Sequence, residues 1–305
     1  MTALVWHPSY VVPLRPGHRM PMSKYGHLHA ILAAEGLIGP DPPAPGLAPA
    51  SMLAAVHDPG YVGRVLGGTL RPEEIRRIGL PGSAAVAERA RRSAAGTLAA
   101  ARIALGRGFA ANLAGGSHHA GPEGGAGFCV FNDVAVAARA LLDEAAVERV
   151  LVVDLDVHQG DGTARIFAGE PRVFTLSIHA ARNFPARKAR SSLDVALPDA
   201  TGDGPYLAAL GAALDRALAA GPFDLAFLNA GVDTWAGDRL GRLALSLDGL
   251  ARRERETLAR LTDAGLPVVA VLGGGYGHDP AEVAGRHALM FRAAAGLGLL
   301  PRGPA

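Results

Sequence analysis

A single cysteine, Cys129, excludes an internal disulfide and, by the same count, a zinc ribbon or finger. The thiol is read as a small buried apolar residue. No run of about 18 uninterrupted apolar residues occurs, and Met1–Tyr10 lacks the basic start and apolar middle of an export signal. These absences point to a soluble cytoplasmic protein with no membrane partner. Charge of one sign is not in excess either. The 30 basic and 28 acidic residues leave +2, too little for a nucleic-acid footprint, so no direct nucleic-acid binding is expected. Lysine is nearly missing, with Lys24 and Lys188 the only two among those 30 cations, and together with abundant glycine and alanine this suggests a GC-rich bacterial source. No flexible linker of useful length and no internal repeat interrupts the chain, so its 305 residues are read as one domain, 1–305.

What is present is apolar. Such residues make up 49% of the chain against 19% charged, enough for a sizeable core and too much for disorder. From about residue 109 onward, apolar runs of strand length alternate with segments of helical period. Strands are expected over 109–113, 150–155, 172–178, 225–229 and 267–272, and helices over 132–144, 162–168, 205–220, 246–264 and 280–295. This alternation predicts an α/β fold, a three-layer sandwich with a mainly parallel central sheet. Upstream, 83–106 reads as a long Ala/Arg-rich helix with Ser83 as N-cap, and 39–49 as a Pro-rich surface loop. Arg89, Arg91 and Arg92 fall on that helix and are read as its solvated face; a second basic cluster, Arg182, Arg187, Lys188 and Arg190, lies downstream.

The densest chemistry is Asp154-Leu155-Asp156-Val157-His158-Gln159-Gly160-Asp161-Gly162, which ends the apolar run Val150–Val153. In an extended strand, side chains two apart share a face. Asp154, Asp156 and His158 are therefore expected to point the same way as the strand runs out, where open α/β sheets place ligand sites. Packing does not account for two carboxylates there, because a buried unpaired charge costs several kcal/mol or takes up a proton. A metal ion does account for them. Polar residues also close the other strands: Gly115–His119, Ser177–His179, Asn229–Asp233 and Gly273–Tyr276. Singly, a His pair, a helix-capping Asp or a glycine turn is ordinary; their shared placement on one rim argues for a site.

Gly115-Gly116-Ser117-His118-His119-Ala120, Gly127-Phe128-Cys129-Val130-Phe131-Asn132-Asp133, the 154–162 run, 229–237 with Asp233, and Leu272–Tyr276 occur in one order and at one spacing. In both respects the chain resembles the histone deacetylase family of metal-dependent amidohydrolases, within the arginase/deacetylase fold. The opening, Pro8 through His18-Arg19-Met20-Pro21-Met22-Ser23-Lys24-Tyr25, resembles the family's N-terminal signature, so the likeness covers most of the chain. Asn183-Phe184-Pro185, Ser192-Leu193-Asp194 and the stretch 197–203 are most similar to the class IV branch and its bacterial relatives.

The resemblance implies metal ligands Asp156, His158 and Asp233, a set that leaves positions open for water and a carbonyl oxygen and so suits a catalytic Zn2+. Fe2+ would also be accommodated. It implies that His118 and His119 are the family's tandem pair, held by Asp154 and Asp161, with His119 moving the proton, His118 tuning charge and Tyr276 donating to the oxyanion. Flexible glycines at 273–275 would let the Tyr276 ring swing into place. Gly127 and Phe128, with Phe184, would line a substrate tunnel. Asp154, the Ser177 hydroxyl and the backbone carbonyls of Asp156, His158 and Ile178 resemble the family's buried potassium site.

The expected reaction is removal of acetyl or longer acyl groups from lysine side chains of proteins, with acetylpolyamines or other acylated small amines as the alternative substrates. The acidic rim residue of eukaryotic members has no clear counterpart, and the Arg182–Arg190 cluster beside the expected tunnel mouth would favour carboxylate-bearing surroundings. An arginase-type ureohydrolase needs further Asp and His ligands, where this chain has Gln159 and Gly160. A non-catalytic acyl-lysine-binding module would not need all three ligands, both histidines and the tyrosine.

Overall fold

The computed structural model describes residues 3–300; residues 1, 2 and 301–305 of the expected 1–305 domain lie outside the described residues. Seven strands form one sheet: β1 (Leu4–Val5), β2 (Phe109–Asn112), β3 (Val150–Asp154), β4 (Val173–Ala180), β5 (Leu193–Leu197), β6 (Leu225–Asn229) and β7 (Val268–Val271). Their order is β1-β2-β7-β6-β3-β4-β5, and every neighbouring pair is parallel. All residues of β2, β3, β6 and β7 are buried, as strands covered on both faces must be.

The helices are α1 (Lys24–Ala34), α2 (Ala50–Ala54), α3 (Pro59–Leu66), α4 (Pro72–Ile78), α5 (Ala84–Arg107), α6 (Asp133–Asp143), α7 (Asp161–Ile166), α8 (Asp203–Ala219), α9 (Leu247–Asp263) and α10 (Pro280–Gly296). Helix α5 packs on β1, β2, β7 and α6; α8 packs on β4, β5 and α9; α9 also meets β7, and α10 meets α9 and α1. The expected α/β layering is present, in a single domain with a sheet that is parallel throughout. Among the described residues, no helix is long and apolar enough to cross a membrane. Cys129 is buried, as expected.

The elements expected from residue 83 onward are observed with boundaries shifted by a few residues. Ser83 caps α5 by accepting from the Val86 N–H, and Gly108 ends the helix with φ 83°. The expectation that Arg89 lies on a solvated face is corrected. Arg89 is buried, its Nε donates to the Tyr10 carbonyl at 3.0 Å, and its guanidinium lies 4.7 Å from the Tyr25 ring centre. The N-terminal segment, not water, covers that face of α5. Arg91 and Arg92 are half-buried for the same reason and donate to the Ala48 and Pro45 carbonyls.

The sheet order creates the crevice. From β3 the chain proceeds to β4 on one side, from β6 to β7 on the other, and β3 and β6 are neighbours. Connections leaving adjacent parallel strands in opposite directions open a gap at their carboxyl ends. The register then sets the last residues level: Asp154 opposes Asn229 on one side and Ser177 on the other, and Asn229 opposes Val271.

Candidate active site

β3 ends at Asp154 and the backbone turns. Asp154 Oδ1 accepts from the Asp156 N–H at 3.1 Å, and Asp156 Oδ1 from the His158 N–H at 2.9 Å. These side-chain-to-backbone bonds two residues apart build a turn rather than an extended strand. The expected common face of Asp154, Asp156 and His158 is therefore corrected: Asp154 bonds His118, whereas Asp156 and His158 meet Asp233 from the loop after β6. One ligand atom from each of Asp156, His158 and Asp233 lies within 4.8 Å of the others, and all three residues are buried.

The charges of this trio fit a metal ion. Burial, reinforced by the charge of Asp156, pushes the Asp233 carboxyl up. His158 Nδ1 sits 2.9 Å from Asp156 Oδ1 and 3.1 Å from Asp233 Oδ2. Burial alone would lower its pKa, but the two carboxylates outweigh that and raise it to about 10. Two buried carboxylates and one imidazole form a donor set that could hold a metal ion. Helix α9 supports the loops beneath. The buried Arg253, paired with Glu254, donates to the Leu155 carbonyl and to the Thr234 hydroxyl, joining the exits of β3 and β6.

The tandem histidines arrive on the loop after β2. Asp133, at the start of α6, accepts from the Ser117 N–H at 2.8 Å and from the Thr97 hydroxyl at 2.6 Å, fixing that loop. His118 Nδ1 lies 2.7 Å from Asp154 Oδ2, and His119 Nδ1 lies 2.7 Å from Asp161 Oδ1. Asn229 donates to Asp154 Oδ1 at 2.9 Å, and Arg165 pairs with Asp161 Oδ2 at 2.8 Å. The two rings nonetheless differ in charge. Burial lowers the pKa of His118, but Asp154 and Asp156 more than reverse this, to about 9. For His119, burial and then the charge of His118 dominate, and the pKa falls to about 3.

The glycines at 273–275, expected to let the Tyr276 ring swing, are closely packed and hydrogen-bonded. A Cβ on Gly274 would overlap Asp233 Oδ2 and come within 2.7 Å of Asp156 Oδ2, and its N–H donates to that Asp156 oxygen at 2.6 Å. The loop is pinned from below by the buried Lys24, whose Nζ donates to the Gly273 and Gly275 carbonyls at 3.2 and 3.3 Å. Asp238 Oδ2 accepts from the Tyr276 N–H at 2.7 Å. Gly274 is glycine because its backbone approaches two carboxylates closely, while Gly273 and Gly275 take φ +66° and +151°, which favour glycine. Burial, with Asp156 and Asp233 nearby, raises the Tyr276 phenol well above its ordinary pKa, so it stays a donor.

Above the trio opens a cleft of about 360 Å³ whose walls include His119, Gly127, Phe128, Phe184 and Tyr276, and whose rim includes Arg19, Arg182 and Arg242. Phe128 stands 5.9 Å from Tyr276, and Phe184, 47% exposed, stands edge-on to His119 at 4.8 Å between ring centres. Gly127 has φ +54°, and a Cβ there would lie 2.6 Å from the His119 ring. On the inner side a cavity of about 30 Å³ reaches Tyr25 and Arg89. Ser177 sits beside Asp154 with its hydroxyl 2.9 Å from His179 Nδ1, and Ile178 follows it in β4.

The Histone deacetylase domain model matches residues 18–290. The chain belongs to the histone deacetylase family. It is 47% identical over 292 residues to an uncharacterized protein of Picosynechococcus sp., covering 95% of this chain and 97% of that one. Histone deacetylase 2 of Arabidopsis thaliana is 34% identical over 63% of this chain, and histone deacetylase 6 of the same plant 30% identical over 87%. The matched regions are 51% and 59% of those two proteins' lengths. The crystal structure of the HDA15 HD domain superposes with a TM-score of 0.80 at 24% identity, covering 97% of this chain and 91% of that one, and so shares the fold. The structure places His119, Gly127, Phe128, His158, Phe184 and Tyr276 around one cleft, with Asp156 and Asp233 against His158. Sequence reasoning gave no role at the site to Lys24, Arg89, Asp133, Arg165, Asn229, Asp238 or Arg253, of which Lys24, Asp133 and Asn229 had a visible signal, lying inside quoted motifs.

Two outcomes are expected. Gly274→Ala drives a methyl between the two carboxylates, so metal content after dialysis against zinc should fall well below one per chain while circular dichroism stays native; full occupancy would remove the close-approach account. Metal must also displace the proton that Asp156 and Asp233 hold on His158. Below a pKa of about 10, that proton is bound in metal-stripped protein, so zinc affinity should rise with pH, about tenfold per unit between pH 6 and 8 for one proton released. Chelator competition across that range measures the slope.

Proposed function

We propose that this chain is a metal-dependent amidohydrolase that cleaves the amide joining an acyl group to an amine on a straight aliphatic stem, as in acyl-lysine or an acylated small amine. One observation carries the reading: the Asp156–His158–Asp233 trio, two carboxylate-oriented histidines and Tyr276 meet at the inner end of one cleft. Asp156, His158 and Asp233 would hold Zn2+, with Fe2+ the alternative. When bound, the ion lowers the pKa of water towards neutrality and polarises the amide carbonyl. A structural K+ would be held by Asp154, the Ser177 hydroxyl and the carbonyls of Asp156, His158 and Ile178.

The chain's own groups divide the remaining work. His119 is neutral at pH 7, and its Nδ1 bond to Asp161 leaves Nε2 as the acceptor. It takes the proton from the attacking water and returns it to the departing amine. His118, whose proton affinity Asp154 raises, tunes the charge beside the reacting carbonyl. Tyr276 donates to the oxyanion, a bond that strengthens as charge develops. Phe128 and Phe184 guide the stem and keep water from the amide, which favours a slender unbranched chain.

Activity of the zinc-loaded protein on acetyl-lysine and longer acyl-lysine fluorogenic peptides tests the reading directly; metal bound without turnover of any acyl amine would overturn it. Tyr276→Phe should keep metal and lose about 10²–10³-fold in kcat, with KM changing much less. His119→Ala should cost about 10²–10⁴-fold, whereas His118→Ala should keep measurable activity and shift the pH profile of kcat/KM. Equal residual rates with unshifted profiles would reverse the assignment of the pair.

A further inference from the structure

We infer that the mouth of the cleft selects acyl amines whose far end carries carboxylate and turns away polycationic amines. The inference rests on the deacylase reading for the chemistry at the inner end, but its own basis lies at the rim. Arg19, Arg182 and Arg242 line the entrance, and no Asp or Glu does. Among the described residues, only one carboxylate answers them: Asp199 Oδ2 lies 3.1 Å from Arg242 and 3.5 Å from Arg182. Three guanidinium groups against one carboxylate leave the rim positive. Arg19 is exposed and forms no ion pair among the described residues. Arg15 and Arg239 line the adjoining groove and extend the same sign.

The positive rim is held in place rather than draped over the opening. Asn183, next to Arg182, donates to the Leu240 carbonyl at 2.7 Å, and Lys188 donates to the Pro185 carbonyl at 2.7 Å. Gln159, from the loop that carries the metal ligands, donates to the Ala189 carbonyl at 2.9 Å and accepts from its N–H at 2.8 Å. The loop bearing Phe184 and Arg182 is thus tied to the floor of the site. A cleft with like charges at its mouth and low-dielectric walls focuses their field along its axis. A stem whose acyl end reaches the trio leaves its other end among the arginines. Carboxylate there finds planar donors; an ammonium meets repulsion.

Two probe sets test this on the zinc-loaded protein. One is a set of labelled acetyl-lysine peptides differing only in flanking Glu, Gln or Arg. The other is 6-acetamidohexanoate against N-acetylcadaverine, which share a stem of five methylenes and end in opposite charges. Affinity, by anisotropy for the peptides and calorimetry for the small molecules, should favour the acidic member of each set over the basic one by about 3–10-fold. The gap should narrow at high salt. In Arg19→Glu and Arg242→Glu the acidic-over-basic ratio should fall by about threefold or more. A preference seen only among peptides assigns the carboxylates to a protein segment, and one seen only in the small pair assigns them to a free metabolite. Equal affinity across both sets, or tighter binding of the basic members, overturns the inference. Amine release from the same probes is scored separately: acidic probes that bind tighter yet are never hydrolysed support the rim and overturn the deacylase reading.

Discussion

Two like charges buried side by side are the constraint around which this site is organised. Asp156 and Asp233 lie in the interior within reach of one imidazole, where unpaired carboxylates cost several kcal/mol each. Several of the groups close to them supply positive charge or N–H groups. Val157 N–H donates to Asp233 at 2.9 Å, Gly274 N–H to Asp156 at 2.6 Å, and His158 bridges both. Glycine at 274 follows directly, since any side chain would occupy the space the carboxylate oxygens fill. The buried Lys24 belongs to the same balance. Burial lowers its pKa to about 8 while Asp233, Asp156 and Asp238 act to raise it, and it secures the loop that delivers both Gly274 and Tyr276.

The same low dielectric makes two chemically identical side chains unlike. His118 and His119 are adjacent in sequence, 4.1 Å apart between ring centres, and each holds a carboxylate at 2.7 Å. His118 also faces Asp156, 3.7 Å from its Nε2, whereas the Asp161 beside His119 already shares its charge with Arg165. One proton enters the pair easily and its presence opposes a second. That difference in surroundings is what suits one ring to the proposed role of a charge and its neighbour to that of a base.

Between these inner groups and solvent lies a short aromatic passage, and beyond it a rim of arginines. On the proposed reading, the inner end answers to the reaction, the passage to the shape of the stem, and the rim to what the stem is attached to. Members of one family can share the first two and differ in the third, because exposed rim side chains on loops vary more freely than buried ones.

The fold from residue 83 onward was legible in the sequence because its strands are continuous apolar runs and its helices carry caps and periodicity. Strands buried on both faces leave no ambiguity of that kind. The first 80 residues were not: α1 is apolar around most of its surface, α2 to α4 have 5–8 residues, and β1 has two. Strand β5 is a half-exposed edge, its burial alternating over only five residues. The motif residues Asp156, His158, Asp233, His118, His119 and Tyr276 were identifiable from type and order. Sequence determined which groups take part. Tertiary structure alone decided how they divide: that Asp154 bonds His118, that Gly274 makes room for two carboxylates, and that Arg89 and Lys24 are interior. Those outcomes depend on which backbone and which charges come within a few ångströms across the β3–β6 crevice, and alternation along a strand carries no information about what arrives from the neighbouring one.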